Sequence, residues 1–326
     1  MRHAGSPSPC PPETRPLRLE RARCAVCGRE SSVVIGEGED FEYRTSDDTF
    51  RALRCETCGL VYLDPRPAAT ELDRIYGPDY HAFAFTPEEF GLVHRVRRRL
   101  EAWRLLRACA GLPPDARVLD VGCGDGFHLD LLREHGPPTW RLHGVDSSTR
   151  AVDAARQRGL DVELARVEDL LIPEGSVDLA LLIQTIEHLA DPRAALVAIR
   201  RVLRPGGRLV IVTDNTRSPD FTLFHGRYWG GYHFPRHFCL FAPEPLTRLA
   251  AAAGFRVASL GTIVSPVNWV YSIHNLLADL GAPRRVVGWF TLRSPLALGV
   301  FTVVDLGFKL LGRGALLRAE LRAHPG

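Results

Sequence analysis

The fold of this chain is decided by the stretch Val118-Leu119-Asp120-Val121-Gly122-Cys123-Gly124-Asp125-Gly126, which ends an apolar strand and opens a helix. The three glycines let the backbone adopt positive φ angles and pass close to a ligand. Ligands of open α/β sheets bind at the carboxyl ends of the strands, where such a loop lies. The spacing is neither that of a dinucleotide-binding G-x-G-x-x-G nor that of a P-loop. The acid that precedes the glycines, Asp120, favours a ligand with a positive amino group. The alternative interpretation is a tight strand-to-helix turn that packs in the core and binds no ligand.

Short apolar runs alternate with helix-length segments on both sides of this loop. Buried strands are predicted at 117–121, 141–145, 177–183 and 208–213, a further strand at 255–263, and a weaker last strand at 319–323. Helices are predicted at 127–135, 149–158, 192–203 and 243–253. The alternation predicts an α/β fold of βαβ units, in which helices cover both faces of a parallel sheet.

Two further strand ends lie at the same edge of the predicted sheet. Asp146 ends the second strand, where an acid can accept hydrogen bonds from both ribose hydroxyls of an adenosine ligand. Ser147 and Ser148 follow it, so Asp146 can also act as a helix N-cap, and the two roles are compatible. Gln184 ends the third strand, and the turn 203–208 (Leu-Arg-Pro-Gly-Gly-Arg) stops a helix before the fourth.

Together these motifs resemble the class I S-adenosylmethionine-dependent methyltransferases over roughly residues 95–263. The resemblance implies a Rossmann-like seven-stranded sheet and S-adenosylmethionine as cofactor. It implies cofactor contacts at Asp120, Gly122, Cys123, Gly124, Gly126, Asp146, Ser147, Val167, Glu168 and Gln184. One position departs from the family pattern: many relatives place an aspartate against the adenine amino group where this chain has Arg166. Glu168 or a backbone group could take over that contact.

Four of the eight cysteines form two matching knuckles, Cys24-Ala-Val-Cys27-Gly28 and Cys55-Glu-Thr-Cys58-Gly59. Four thiolates make a closed tetrahedral set for a structural zinc ion, which leaves no open position for catalysis. The alternative is that one pair is redox-active, but such a motif normally occurs singly at a helix start. An N-terminal unit of this kind resembles that of methyltransferases acting on sugars and other natural-product or glycan precursors.

Three histidines are candidates for the base that removes a proton from the methyl acceptor. His188 follows the third strand at the crevice, although it could also only cap or pack a helix start. His233 and His237 lie in the aromatic loop, residues 221–241, whose Pro-Arg-His pattern also recurs in the family. Alternatively, this loop only packs onto the domain through its aromatic residues. The residue pattern does not choose among the three.

The remaining segments set the expected organisation. We expect a disordered tail at 1–20, a zinc-ribbon-like module at 21–67, a helical linker at 68–112, the cofactor-binding core at 113–264, an apolar helical insertion at 265–313, and a last strand and tail at 314–326. In the linker, apolar residues recur at helical spacing with arginines between them: Val93, Val96, Leu100, Trp103 and Leu106. Residues 1–16 lack the apolar run of a signal peptide, so a cytoplasmic protein is expected.

The apolar insertion has three open interpretations. Charged residues interrupt its apolar runs, so a bilayer-spanning helix is not expected. It can cover the acceptor pocket, form a dimer, or lie on the inner face of the membrane, where the arginines of the linker would add attraction to anionic lipid. A solvated helix face is the simpler interpretation of those arginines.

The leading functional hypothesis is methyl transfer to a small molecule or to a lipid- or nucleotide-linked glycan precursor. An RNA methyltransferase that grips RNA through the zinc module is the second hypothesis. The net charge of +3 over 326 residues and the acids between the cysteine pairs disfavour it. A non-catalytic scaffold is the third, and the intact glycine loop and Asp146 argue against it.

Overall fold

The computed structural model describes residues 15–77 and 87–323. Its strands are β1 (Leu19–Glu20), β2 (Ser32–Gly38), β3 (Phe50–Cys55), β4 (Val61–Leu63), β5 (Arg66–Pro67), β6 (Arg117–Val121), β7 (Arg141–Asp146), β8 (Val162–Leu164), β9 (Val177–Ile183), β10 (Leu203–Asp214), β11 (Cys239–Leu240), β12 (Phe255–Ile263) and β13 (Leu316–Ala323). Its α-helices are α1 (Leu72–Ile75), α2 (Pro87–Ala108), α3 (Phe127–His135), α4 (Thr149–Gln157), α5 (Pro192–Val202), α6 (Pro219–Phe224), α7 (Pro243–Ala252), α8 (Val267–Asp279), α9 (Arg284–Val287) and α10 (Pro295–Leu310).

The central sheet has seven strands in the order β12-β13-β10-β9-β6-β7-β8. The strands from β10 to β8 pair in parallel, whereas β13 runs antiparallel between β10 and β12. The α/β, Rossmann-like fold predicted from the sequence is therefore confirmed. The strands β6, β9 and β12 begin and end at the predicted residues. The three-residue strand β8 was not predicted, because so short a segment has no measurable periodicity.

The cysteine-bearing segment is joined to the rest of the protein through a second sheet of order β11-β4-β3-β2. Its fourth strand, β11, comes from the aromatic loop: Cys239 is paired with Tyr62 and Leu240 with Val61. All three residues of β4 are buried, so this strand needs neighbours on both edges. One continuous set of buried side chains runs from this sheet into the central sheet. The segment predicted as a separate module therefore has no core of its own.

The predicted N-terminal tail and helical linker are only partly described. Residues 1–14 and 78–86 lie outside the described residues. Residues 19–20 form β1, which pairs with β5, so regular structure begins within the stretch predicted as a tail. The segment predicted as a helical linker contains a 3-10 turn at 69–71, α1 and α2.

Helix α2 buries a different face from the one that its apolar spacing suggests. Its buried side chains are His94, Ala102, Leu105 and Ala108. Of the apolar residues that recur at helical spacing, Val96, Leu100, Trp103 and Leu106 are instead exposed, and Val93 is half-buried. Spacing identifies a helix with an apolar face, but it does not say which solvent or partner that face meets.

The apolar segment after β12 forms α8, α9 and α10 before the chain returns to the sheet as β13. Asp305 of α10 is fully buried and holds this insertion in place. Its carboxylate accepts hydrogen bonds from the backbone amides of Ser265 and Ala315, at 2.9 and 3.1 Å. Within 15–77 and 87–323, helices are too short or too polar to cross a bilayer.

Candidate functional site

The glycine loop between β6 and α3 is fixed to the neighbouring strand β7. Gly122, Gly124 and Gly126 have φ angles of 71°, 56° and 82°. The backbone amides of Gly122 and Cys123 both donate hydrogen bonds to the carbonyl of Val145, at 2.8 and 3.1 Å. These conformations are ones that other residues rarely adopt, so the glycines are required by the turn itself.

Replacing Gly122 with alanine is expected to lower the free energy of unfolding by about 2–5 kcal/mol, the sum of a left-handed alanine and an overpacked side chain. A Cβ at this position would lie 2.3 Å from Cγ2 of Thr185. Gly175 has a similar φ of 62° and open space around it. Gly175→Ala should therefore lose only the stability that a left-handed alanine costs, about 1–2 kcal/mol. Urea denaturation measures both variants, and equal losses would show that the contact with Thr185 is unimportant.

Asp146 links the glycine loop to the start of α4. Its Oδ2 accepts a hydrogen bond from the amide of Gly124 at 2.9 Å, and its Oδ1 accepts one from the amide of Ser148 at 2.8 Å. The N-cap of α4 is Ser148, whose hydroxyl accepts from the amide of Ala151. Burial raises the pKa of Asp146. The helix-capping alternative therefore belongs to Ser148, and Asp146 is held at the strand end beside the loop.

Asp120 brings a buried carboxylate beneath the same loop. It is only 1% exposed, and its Oδ2 makes no hydrogen bond with the described residues. Nδ1 of His128 lies 3.6 Å from this oxygen. Burial opposes the charge on His128, but Asp120 raises the pKa of this histidine overall. A buried acceptor without a donor is costly, so Asp120 is suited to receive an ammonium group from a ligand.

Two of the predicted cofactor contacts have side chains in the core. Cys123 is buried, and its Sγ packs where a side chain on Gly144 would have to be. Val167 is buried in the 3-10 turn after β8. These two positions can therefore offer only backbone groups or a limited apolar surface to a ligand.

The other three predicted contacts reach the surface of the crevice. Ser147 and Gln184 are exposed at the ends of β7 and β9. Gln184 has a φ of 50°, and its Nε2 donates to Oε1 of Glu187 at 2.8 Å. Glu168 lies 3.5 Å from the guanidinium of Arg166, so the departure from the family pattern is an ion pair at this edge.

The three candidate histidines meet in one cluster, called here the histidine cluster. The ring centroids of His188 and His237 are 4.6 Å apart, and those of His233 and His237 are 5.0 Å apart. His188 comes from the segment after β9, whereas His233 and His237 come from the aromatic loop. The fold therefore brings together all three residues that the sequence singled out.

Backbone carbonyls hold two of the imidazole rings in this cluster. Nδ1 of His188 lies 3.1 Å from the carbonyl of Arg236, and Nδ1 of His237 lies 2.8 Å from that of Gly231. Because a carbonyl only accepts, Nδ1 of His237 is the donor, whereas Nδ1 of His188 is shared between the carbonyl of Arg236 and the hydroxyl of Tyr76 at 2.8 Å. Burial and the neighbouring imidazoles lower the pKa of His237 well below its usual value, so that ring is neutral at pH 7.

Two buried carboxylates lie behind the histidine cluster. Glu187 accepts from the hydroxyl of Thr213 at 2.8 Å, and Asp214 accepts from the side-chain amide of Asn268 at 2.7 Å. Burial and Asp214 raise the pKa of Glu187, and burial raises the pKa of Asp214 to about 7. Asp214 ends a strand, and this position could have identified it from the sequence. One ligand atom each of Glu187, His188 and His237 lies within 4.8 Å of the others.

The N-terminal segment, defined here as residues 15–77, supplies two side chains to the histidine cluster that the sequence did not identify. The hydroxyl of Tyr76 lies 2.8 Å from Nδ1 of His188, and Oε1 of Glu42 lies 3.0 Å from Nδ1 of His233. Glu42 and His233 are 191 residues apart in the chain, so no local pattern could have paired them.

A buried ion pair holds the aromatic loop against the N-terminal segment. Arg236 and Asp40 are almost completely buried, and both terminal nitrogens of Arg236 bond the carboxylate at 3.1 Å. Arg236 also donates to the carbonyl of Ile75 at 2.8 Å. Burial by itself would raise the pKa of Asp40, but the charge and hydrogen bonds of Arg236 outweigh this and hold the pKa below its usual value. A two-pronged geometry fixes orientation, so this pair positions the loop that carries His233 and His237.

The four knuckle cysteines form one compact group, called here the cysteine cluster. The sulfurs of Cys24 and Cys58 are 3.3 Å apart, those of Cys27 and Cys55 are 3.5 Å apart, and all four lie within 4.8 Å of one another. Tetrahedral zinc–thiolate bonds of 2.3 Å place sulfurs about 3.8 Å apart. Burial raises the pKa of Cys58 to about 11, and a bound cation would favour its thiolate form. The sulfurs therefore fit zinc.

Residues 92–260 match a family model described as a methyltransferase domain. An uncharacterised transposon protein of Streptomyces fradiae is 43% identical over 103 residues, which cover 30% of each chain. A ubiquinone biosynthesis O-methyltransferase of Cereibacter sphaeroides is 32% identical over 171 residues, 48% of this chain and 67% of the relative. A methyltransferase structure from Archaeoglobus fulgidus, 20% identical, superposes with a TM-score of 0.49 over 75% of this chain and 100% of the other. The matching residues thus span 30% of the length of the first of these curated relatives and 67% of the second.

Proposed function

This chain belongs to the family of S-adenosylmethionine-dependent methyltransferase domains, and we propose that it methylates a small molecule or a glycan or other natural-product precursor. The observation that carries the proposal is the juxtaposition of two sites at one sheet edge. The glycine loop and Asp146 lie at the ends of β6 and β7. The histidine cluster begins directly after β9, the neighbour of β6.

The glycine loop has the donor and acceptor set that S-adenosylmethionine needs. Asp120 has the acceptor for an ammonium group, and Asp146 lies where an acid can bind ribose hydroxyls. Gly124 has nothing within 4 Å on its side-chain face, so the backbone is open to close approach there. The bound cofactor supplies a methyl group on a sulfonium, which is already a good leaving group.

His188 is our choice for the base among the three histidines. It follows β9 in the same short segment as Thr185, which packs against Gly122 of the cofactor loop. It is half-buried, whereas His237 is 8% exposed and the side chain of His233 is 7% exposed. Its Nδ1 is held by the hydroxyl of Tyr76 and the carbonyl of Arg236, so Nε2 is the nitrogen that we assign to proton removal from an acceptor.

The acceptor side favours a small molecule over RNA. The aromatic loop and the N-terminal segment enclose the histidine cluster with aromatic rings, among them Tyr43 and Tyr76. An acidic side chain approaches the same place, Glu42 at His233. This acid would disfavour a phosphate backbone there. The similarity to ubiquinone biosynthesis O-methyltransferases also supports a small acceptor.

The cysteine cluster is proposed to hold a structural zinc ion. Its two knuckles have matching hydrogen bonds: the amide of Gly28 donates to the carbonyl of Cys24, and the amide of Gly59 donates to that of Cys55. Both glycines have positive φ angles, of 70° and 79°. A metal there would stabilise the segment that brings Tyr76 and Glu42 to the histidine cluster.

Calorimetry with S-adenosylhomocysteine tests the cofactor site. Asp146→Ala should weaken binding by about 10–100-fold, because a carboxylate hydrogen-bonded to the ligand and to the loop is lost. Asp120→Ala should weaken it similarly. Asp153→Ala is the matched control, since Asp153 is exposed on α4. Intact protein that fails to bind S-adenosylhomocysteine would overturn the proposed function.

A further inference from the structure

The helical insertion presents an apolar face that no described residue covers. On α10, the exposed side chains are Leu296, Val300, Val303, Leu306 and Leu310, and three of them are at least 70% exposed. Their spacing of three and four residues places them along one side of the helix. Trp289, which is 69% exposed, precedes this helix. A contiguous exposed face of this kind marks an interaction surface.

The opposite side of α10 is fixed, so the apolar face cannot rotate inward. Phe301 and Phe308 stack on Trp269 of α8 with ring centroids 5.9 Å apart. Between them, Asp305 is fully buried and accepts backbone hydrogen bonds from both flanking strands' ends. Turning the outer residues inward would expose three aromatic rings and break the bonds to a buried carboxylate.

The exposed charges of the insertion after α8 are of one sign, and the acid at the end of α8, Asp279, is paired with Arg227. Residues 280–313 contain the exposed cations Arg284, Arg285, Arg293, Lys309 and Arg313. Their one acid is Asp305, which is inside the protein. Two copies of this chain meeting through this face would bring like charges together. A negatively charged surface with an apolar layer beneath it would match both the cations and the exposed leucines.

The exposed stripe of α2 extends the same chemistry. Trp103 is 55% exposed and lies under the guanidinium of Arg107, 4.9 Å from the ring centroid. Helix α2 contacts the insertion at one end, where Arg293 lies over Phe90. Further along, Arg104 donates to the carbonyl of Val264, just before α8, at 2.9 Å. The two apolar faces therefore belong to neighbouring elements.

We propose that the outer faces of α10 and α2 dock on the surface of an anionic lipid bilayer, with the leucines, valines and tryptophans entering the headgroup region and the arginines contacting lipid phosphates. This binding is peripheral, and it does not depend on which acceptor the enzyme methylates. Docking of this kind would hold the enzyme at the membrane surface, where its histidine cluster could reach an acceptor that has a lipid portion.

Flotation of the full chain with vesicles tests the docking surface. The intact protein should float with vesicles of phosphatidylglycerol and phosphatidylcholine, and much less with phosphatidylcholine alone. Leu296→Glu combined with Val303→Glu should reduce the fraction bound at least tenfold. Arg284→Gln and Arg285→Gln should each weaken binding about 5-fold, from about 1 kcal/mol per cation at the surface.

Leu171→Glu is the matched control, since Leu171 is 84% exposed outside these helices and its variant should float like the intact protein. S-adenosylhomocysteine binding confirms that each variant is folded. Intact protein that does not float with anionic vesicles overturns the proposal. If the intact protein does not bind lipid but light scattering shows a dimer, and the Leu296 and Val303 substitutions convert that dimer to monomers, the face binds a second copy of the chain instead.

Discussion

Replacing Cys58 with serine is expected to lower the free energy of unfolding by more than about 4 kcal/mol and to abolish methyl transfer. Apparent zinc-binding free energies of structural thiolate sites are about 10–16 kcal/mol, and most of this appears as folding free energy. A domain has only about 5–15 kcal/mol of total stability, so loss of one ligand removes a large part of it.

The loss should reach the active site because the cysteine cluster is not in an independent domain. Cys24, Cys55 and Cys58 belong to the same set of buried side chains as Leu119 and Leu182 of the central sheet. The segment also carries Glu42 and Tyr76, which contact His233 and His188. An unfolded N-terminal segment would leave both histidines without these partners.

Elemental analysis and thermal unfolding measure this effect together. The intact protein should contain one zinc per chain, and a strong chelator should lower its melting temperature as the Cys58 variant does. Cys109→Ala is the control, because Cys109 is buried against the central sheet far from the knuckles in sequence. A metal-free intact protein with undiminished stability would contradict the zinc proposal.

Replacing His188 with alanine is expected to lower the rate of methyl transfer by about 10²–10⁴-fold, the usual contribution of a general base. The affinity for S-adenosylhomocysteine should remain within about twofold, because His188 lies on the acceptor side of the cofactor loop. His237→Ala should have a smaller effect on rate, since that ring is buried and would position His188 through their 4.6 Å contact.

Transfer of radiolabelled methyl from S-adenosylmethionine into the cell's own small-molecule extract measures these rates. His135→Ala is the control, since His135 is exposed at the end of α3. The intact rate should fall as the pH is lowered, because a base must be unprotonated to act. If His233→Ala loses the activity and His188→Ala keeps it, the base is His233, oriented by Glu42.

The sequence by itself determined the parts of this protein that are encoded within a few neighbouring residues. The glycine loop, the strand ends at Asp146 and Gln184, and the two cysteine knuckles are all local patterns. Apolar runs and turn glycines specify strands and turns directly, so β6, β9 and β12 were predicted to the residue. The three histidines were also found, because each lies in a motif with a recognisable chemical composition.

Only the tertiary structure decided how these parts meet. It joined Cys239 and Leu240 to the N-terminal sheet, and it paired Glu42 with His233 across 191 residues. It also left the apolar stripe of α2 exposed, an outcome that spacing alone does not decide. The physical reason is that pairing a strand edge or burying a helix face depends on which distant surface offers free hydrogen-bonding groups or apolar area. Local spacing carries no record of that distant partner.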